Sequence, residues 1–170
     1  KMFKKAKILA AMMAAVLLIA GLASAMGPGP WFGCGKIAVA DRNSGTLSVI
    51  STFNDSLIAT IPLPSDVNTP EPMYVVYSPI KNRVFVGDRA NNRIVVFRAK
   101  NFAVETTVPA GAGVFHMWAS VKAKQLWVNN DIDNTTTVIH LRTLDTVATV
   151  PTPPDLVAMG GKPHDVILDP

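Results

Sequence analysis

Arg83-Val84-Phe85-Val86-Gly87-Asp88-Arg89-Ala90-Asn91-Asn92-Arg93-Ile94-Val95-Val96-Phe97 is the stretch whose reading decides the fold. Two short runs of β-branched and aromatic residues flank a polar turn rich in Asp and Asn, which is the pattern of a β-hairpin. The pattern is written twice more, upstream from Lys36 to Ile50 and downstream from Gln125 to Ile139.

The repeat has a measurable step. Val39, Val86 and Val128 are equivalent and stand 47 and 42 residues apart. Ile61-Pro62, Val108-Pro109 and Val150-Pro151 repeat with the same two steps. Apolar residues alternate with period two inside these units, which excludes helical repeats of similar length. Short strands repeating every forty-odd residues predict an all-β chain built as a β-propeller of four-stranded antiparallel blades.

Working outward, the first 25 residues have another task. Lys1, Lys4, Lys5 and Lys7 precede the apolar run Ile8–Leu22, and Ala23-Ser24-Ala25 then forms an A-x-A cleavage site. This is a signal-peptide pattern, and the run is short for a membrane span, which takes about 20 apolar residues. The expectation is an exported protein (periplasmic, secreted or at the cell surface) whose mature chain begins at Met26. An uncleaved anchor is the alternative, and contact with the membrane is expected only through this export signal. The formal net charge of +4 belongs to the same segment, because from Met26 onward 12 basic residues face 12 acidic ones. The basic patch of a nucleic-acid binder is therefore absent. Cys34 is the single cysteine, so this stretch cannot form an internal disulfide.

Taken in order, residues 26–35 are a Gly- and Pro-rich lead-in, and 36–170 form the repeat region. Its blades are expected at about 36–64, 72–110 and 114–152, with the opening strand of a further blade at 163. The first unit shows three strands, whereas the second and third show four, each with an additional strand in front. Pro163-His164-Asp165-Val166-Ile167-Leu168-Asp169-Pro170 matches the front strand of the second unit. The expected architecture is an incomplete ring of about three blades plus the first strand of a fourth, cut from a longer chain and exposing apolar faces and sheet edges at both ends.

Ala38-Val39-Ala40, Phe85-Val86-Gly87 and Trp127-Val128-Asn129, followed by Asp41, Asp88 and Asn130, resemble the Tyr-Val-Thr-Asn signature of YVTN-type β-propeller repeats. The segments from Asn91 to Gly111 and from Asn134 to Thr152 are similar to that family's strand, short turn and outer strand. No unit carries the full signature, and the turns lack the usual Asp-Gly pair. The resemblance implies four-stranded blades, about seven of them, arranged around a channel. It is specific for the repeat type and does not specify an activity.

Blade geometry puts the turn between the second and third strands on the same face as the loops joining blades. Asp41, Arg42, Asp88, Arg89, Asn130 and Asp131, with Asp133, are the candidate ligand-binding residues of this loop face. The competing reading is that Asp and Asn occupy these positions for turn chemistry, bonding their own backbone. His116 and His164 both open an innermost strand, so with Asp165 they are candidate ligands for a divalent metal such as zinc, copper or iron at the channel mouth. Against this, each histidine could bond a neighbouring blade's backbone and stabilise the ring. His140 lies away from the axis and reads as a surface or packing residue, and Trp118 and Trp127 read as inter-blade packing. Nucleophile-elbow, zincin, phosphate-loop and CxxC motifs are absent, and no catalytic residue is assigned. The leading functional expectation is a non-enzymatic binding scaffold presenting its loop face to a protein, polymer or small ligand. The alternatives are a metal- or cofactor-dependent propeller enzyme of the lactonase or quinoprotein sort, and a structural surface array.

Overall fold

A computed structural model of the chain describes residues 35–167. The leader, the cleavage site, Cys34 and most of the lead-in lie outside the described residues. Among the described residues there are eleven strands. Blade 1 comprises β1 (Lys36–Asp41), β2 (Thr46–Ser51) and β3 (Leu57–Pro62). Blade 2 comprises β4 (Pro72–Ser78), β5 (Arg83–Asp88), β6 (Arg93–Arg98) and β7 (Val104–Pro109). Blade 3 comprises β8 (Val114–Ser120), β9 (Gln125–Asn130), β10 (Thr135–His140) and β11 (Thr146–Pro151). Each blade is an antiparallel meander in chain order, and together they form part of a β-propeller.

The backbone repeats with the same steps of 47 and 42 as the side chains. The turn between the second and third strands ends in a left-handed residue at Gly45, Asn92 and Asn134. Gly and Asn tolerate that conformation best, so Asn serves here where an Asp-Gly pair was missing. The next turn has its own left-handed residue at Asp55, Phe102 and Leu144. For Phe and Leu this backbone costs about 1–2 kcal/mol. The burial of Phe102 and the packing of Leu144 against the core offset it. The ladder of strands three and four slips at Val49/Ile50, Val96/Phe97 and Val138/Ile139. Each blade is also tied to the chain leaving it, by Leu63 N–H to Gly45 C=O, Ala110 N–H to Asn92 C=O and Thr152 N–H to Asn134 C=O.

Blade 2 shows why its strands read as continuous apolar runs. Its two faces are both covered, so β5 is buried along its whole length. Phe85, Ile94, Val96 and Val108 pack against Val114, Met117, Leu126, Val128, Ile139 and Leu141 of blade 3. Val84, Val86, Val95 and Phe97 point the other way, against Leu47 and Val49 of blade 1. Burying a side chain of this size stabilises by about 1.5–3 kcal/mol. Blades 1 and 3 are covered on one face only. Ile37 and Leu57 are 50% and 60% exposed on the far side of blade 1, and Trp118 is 43% exposed on the far side of blade 3.

Trp118 and Trp127 are cross-strand partners on the face turned away from blade 2, because the alternation assigns Met117, Leu126 and Val128 to the covered face. Two details depart from the sequence-based expectations. The loop 151–163 contains a short helix, α1 (Pro154–Ala158), with proline at its start. Residues 163–167, the described part of the segment read as the opening strand of a further blade, carry no ladder. A strand acquires a ladder only from a neighbour, and no described residue pairs with them. Among the described residues, no helix is long and apolar enough to cross a membrane.

Candidate axial site at the mouth of the inner strands

The loop-face residues are held in bonds within the protein. Asp41 accepts from the hydroxyls of Ser48 at 2.6 Å and Thr46 at 3.2 Å. Its equivalent Asp88 is fully buried. It accepts from Glu71 N–H, Asn91 Nδ2 and Arg93 Nε, each at 2.9 Å. Asn130, the third equivalent, is also buried and donates to the hydroxyls of Thr135 at 3.1 Å and Thr137 at 2.8 Å. In every blade the last residue of the second strand thus clasps the beginning of the third. Arg42 donates to Glu71 at 2.6 Å. Arg89 donates to Gly113 C=O at 3.1 Å and pairs with Asp131 at 2.8 Å. Asp133 accepts from Ala112 N–H at 2.6 Å. These are turn-and-frame roles, and the signal for them was the placement of Asp and Asn at the turn-starting positions.

Arg89 leads to the second set of candidates. Its guanidinium lies over the Phe115 ring, 5.8 Å from the centroid. Phe115 stacks on His116 at 4.7 Å with the planes 3° apart, and lies 4.8 Å from the His164 ring. His116 and His164 have centroids 5.0 Å apart, and Tyr74 of β4 sits 4.6 Å from His116. His116 Nδ1 contacts the Asp165 carboxylate. Tyr74 and His116 are equivalent residues, 42 apart, on the innermost strands of successive blades. That shared position is why sequence-distant rings meet at one end of the axis.

The site is half open. His116 keeps 23% of its side chain exposed, and Asp165 keeps 79%. His164 and Asp165 line a cleft with Thr136, Val150, Leu156 and Lys162. In neutral His116, the Nδ1 proton directed at Asp165 leaves the lone pair on Nε2. Each of His116, His164 and Asp165 offers a ligand atom, and these atoms lie within 4.8 Å of one another. Chemically the arrangement can stack on a planar ligand, accept a cation, or both. The alternative for His116, a bond to a neighbouring blade's backbone, gives way here to the Asp165 carboxylate and the aromatic rings. Sequence reasoning missed Tyr74 and Phe115, although the 42-residue equivalence of Tyr74 and His116 marked the first of them. His140 is away from this cluster, with Nδ1 3.0 Å from the Thr143 hydroxyl.

No protein-family model matches the chain, and no curated sequence does. Solved structures do match, 444 chains in all, so this fold is widely populated and does not by itself fix a function. Hydrazine synthase from Kuenenia stuttgartiensis is 11% identical with a TM-score of 0.62, over 69% of this chain and 32% of that one. Dihydro-heme d1 dehydrogenase NirN, solved in complex with DHE, is 17% identical with a TM-score of 0.57, over 75% and 27%. A 6-phosphogluconolactonase candidate from Bacteroides uniformis is 18% identical with a TM-score of 0.59, over 69% and 40%. The chain spans a quarter to two fifths of the solved chains it matches. At these identities the likeness establishes the propeller fold.

Proposed function

We propose that the chain is an exported repeat propeller of the YVTN type that acts as a binding scaffold, with its ligand entering at the axial mouth. The observation that carries this reading is the convergence of Tyr74, Phe115, His116 and His164 with the Asp165 carboxylate at the start of the inner strands. Rings that stack and a carboxylate that pairs are groups that bind and orient, and concave sites lined by aromatics with a few polar atoms are the usual form of a ligand pocket. The repeat type rests on the triplets at 38–40, 85–87 and 127–129, and export rests on the leader pattern of residues 1–25.

The test is saturation-transfer NMR on the full chain with three probe sets: aromatic carboxylates, hexose phosphates and short peptides. Each measurement is repeated on Tyr74→Ala and Phe115→Ala. The expected result is at least one probe set bound by the wild type and lost in both variants. A probe retained by both variants, no binding from any set, or steady turnover of a δ-lactone by the wild type would overturn the reading.

A further inference from the structure

We infer that His116, His164 and Asp165 together hold one divalent transition-metal ion, an inference that rests on the axial mouth being the ligand-binding end of the propeller. The three ligand atoms already lie within 4.8 Å of one another. A tetrahedral ion with bonds of about 2.0–2.1 Å keeps its ligands roughly 3.4 Å apart, so shifts on the order of 1 Å at the side-chain tips close the set. Two imidazoles and one carboxylate suit zinc, copper or nickel, whereas calcium and magnesium take shells of oxygen. Three protein ligands leave at least one position open, as in catalytic and exchangeable zinc sites. That position faces solvent, because Asp165 is largely exposed and the adjoining cleft is lined by His164, Thr136 and Leu156.

The geometry is also arranged in advance. Phe115 stacked on one side of His116 and Tyr74 tilted against it restrain the imidazole, so little rotational freedom is lost on binding. Without an ion, His116 Nδ1 and the Asp165 carboxylate are in contact. An ion binding at Nδ1 requires the other tautomer: the Nδ1–H bond breaks, an Nε2–H bond forms by exchange with solvent, the Nδ1 lone pair binds the metal, and the neutral imidazole loses no net proton.

The experiment is calorimetric titration of the untagged full chain with Zn2+ and with Cu2+, in buffers of different ionisation enthalpy. It is joined by electron paramagnetic resonance of the Cu2+ form. The variants are His116→Phe, which keeps a ring between Tyr74 and Phe115, His164→Ala and Asp165→Asn, with His140→Ala as the control. Expected are one ion per chain and nitrogen couplings from two imidazoles. Affinity should fall at least tenfold in each site variant and stay unchanged in His140→Ala. Absence of saturable one-to-one binding, affinity retained in His116→Phe, or affinity lost in His140→Ala overturns the inference. If the organic probes still bind through Tyr74 and Phe115 while no ion is held, only the metal inference fails; if neither binds, both readings fail.

Discussion

Asp88 and Arg93 offer a sharp test of how the blades hold their shape. Blade 2 clasps its second and third strands with a buried ion pair, Arg93 Nε to Asp88 at 2.9 Å. Blade 3 does it with neutral groups, Asn130 to Thr135 at 3.1 Å. The perturbation is the blade 3 pair placed in blade 2, as Asp88→Asn, Arg93→Thr and the double variant. Two unit charges about 4 Å apart attract by about 4 kcal/mol at an effective dielectric of 20. Desolvation offsets part of that, and removing one member of a buried pair costs about 3–5 kcal/mol. Asp88→Asn should sit near the lower end, because Arg93 keeps Asp66 and the Pro64 carbonyl, the latter at 2.6 Å. Arg93→Thr strands a fully buried carboxylate and should cost about 3–4 kcal/mol. The double variant should also cost about 3–4 kcal/mol, well short of the sum, giving a coupling energy of about 3 kcal/mol. Urea unfolding at low protein concentration measures it, with unchanged m-values as the check that the transition is the same. Additivity within about 0.5 kcal/mol would show that the two side chains are not coupled and that the clasp is incidental.

Three further outcomes are expected. Arg83 donates to Glu105 at 2.9 and 2.5 Å, and this bond holds the Glu105 carboxyl below its ordinary value of 4.5, against a smaller upward push from burial. Its folded value is the depressed one, so its contribution is complete above 4.5 and fades as pH falls through the folded value. Wild type should therefore lose more stability on acidification below pH 4.5 than Glu105→Gln, and parallel pH profiles would refute this. Gly113→Ala should cost roughly 2–4 kcal/mol, because φ is +80° and the new Cβ would meet Ile132 N at 2.6 Å; an unchanged urea midpoint would show that the loop yields freely. The uncovered faces at Ile37 and Leu57 and at Trp118 should drive concentration-dependent self-association. Ile37→Lys with Leu57→Glu should weaken that association in sedimentation velocity, and a wild-type monomer at all concentrations would refute the argument.

The strands were legible because each blade is a local structure whose hydrophobic alternation, turn residues and outer Val-Pro pair recur with one pair of steps. The left-handed positions at Gly45, Asn92 and Asn134 follow the same steps, so local chemistry and global fold agree. Helix α1 was not legible: five residues are too few to show a helical period. The absence of a ladder at 163–167 was not legible either, because the residues have strand character and what decides the matter is a partner, not their own sequence. The proximity of His116 and His164 could be read from the repeat, which aligns the segment from Pro163 with the opening strands of blades 2 and 3. The stacking of Phe115 on His116 could not, since that depends on how Arg89, a blade away, holds the segment.

That dependence joins the two sets of candidate residues. Arg42, Arg89 and Asp131 are equivalent first residues of the turn after the second strand. Arg42 reaches Glu71, and Arg89 reaches Gly113, the residue equivalent to Glu71 in the next loop. The backbone repeats the contact in reverse, with Arg89 N–H on Glu71 C=O and Asp131 N–H on Gly113 C=O. Each contact pins the residue just before an inner strand, so it sets where Tyr74 begins in blade 2 and where Phe115 and His116 begin in blade 3. A chain fixed at Gly113 and again by the Met117 side chain in the core leaves Phe115 and His116 little room to wander. The polar loop face and the aromatic axial mouth are thus one device: the first supplies internal bonds that are strong because they are shielded, and those bonds set the start of the inner strands that carry Tyr74, Phe115 and His116.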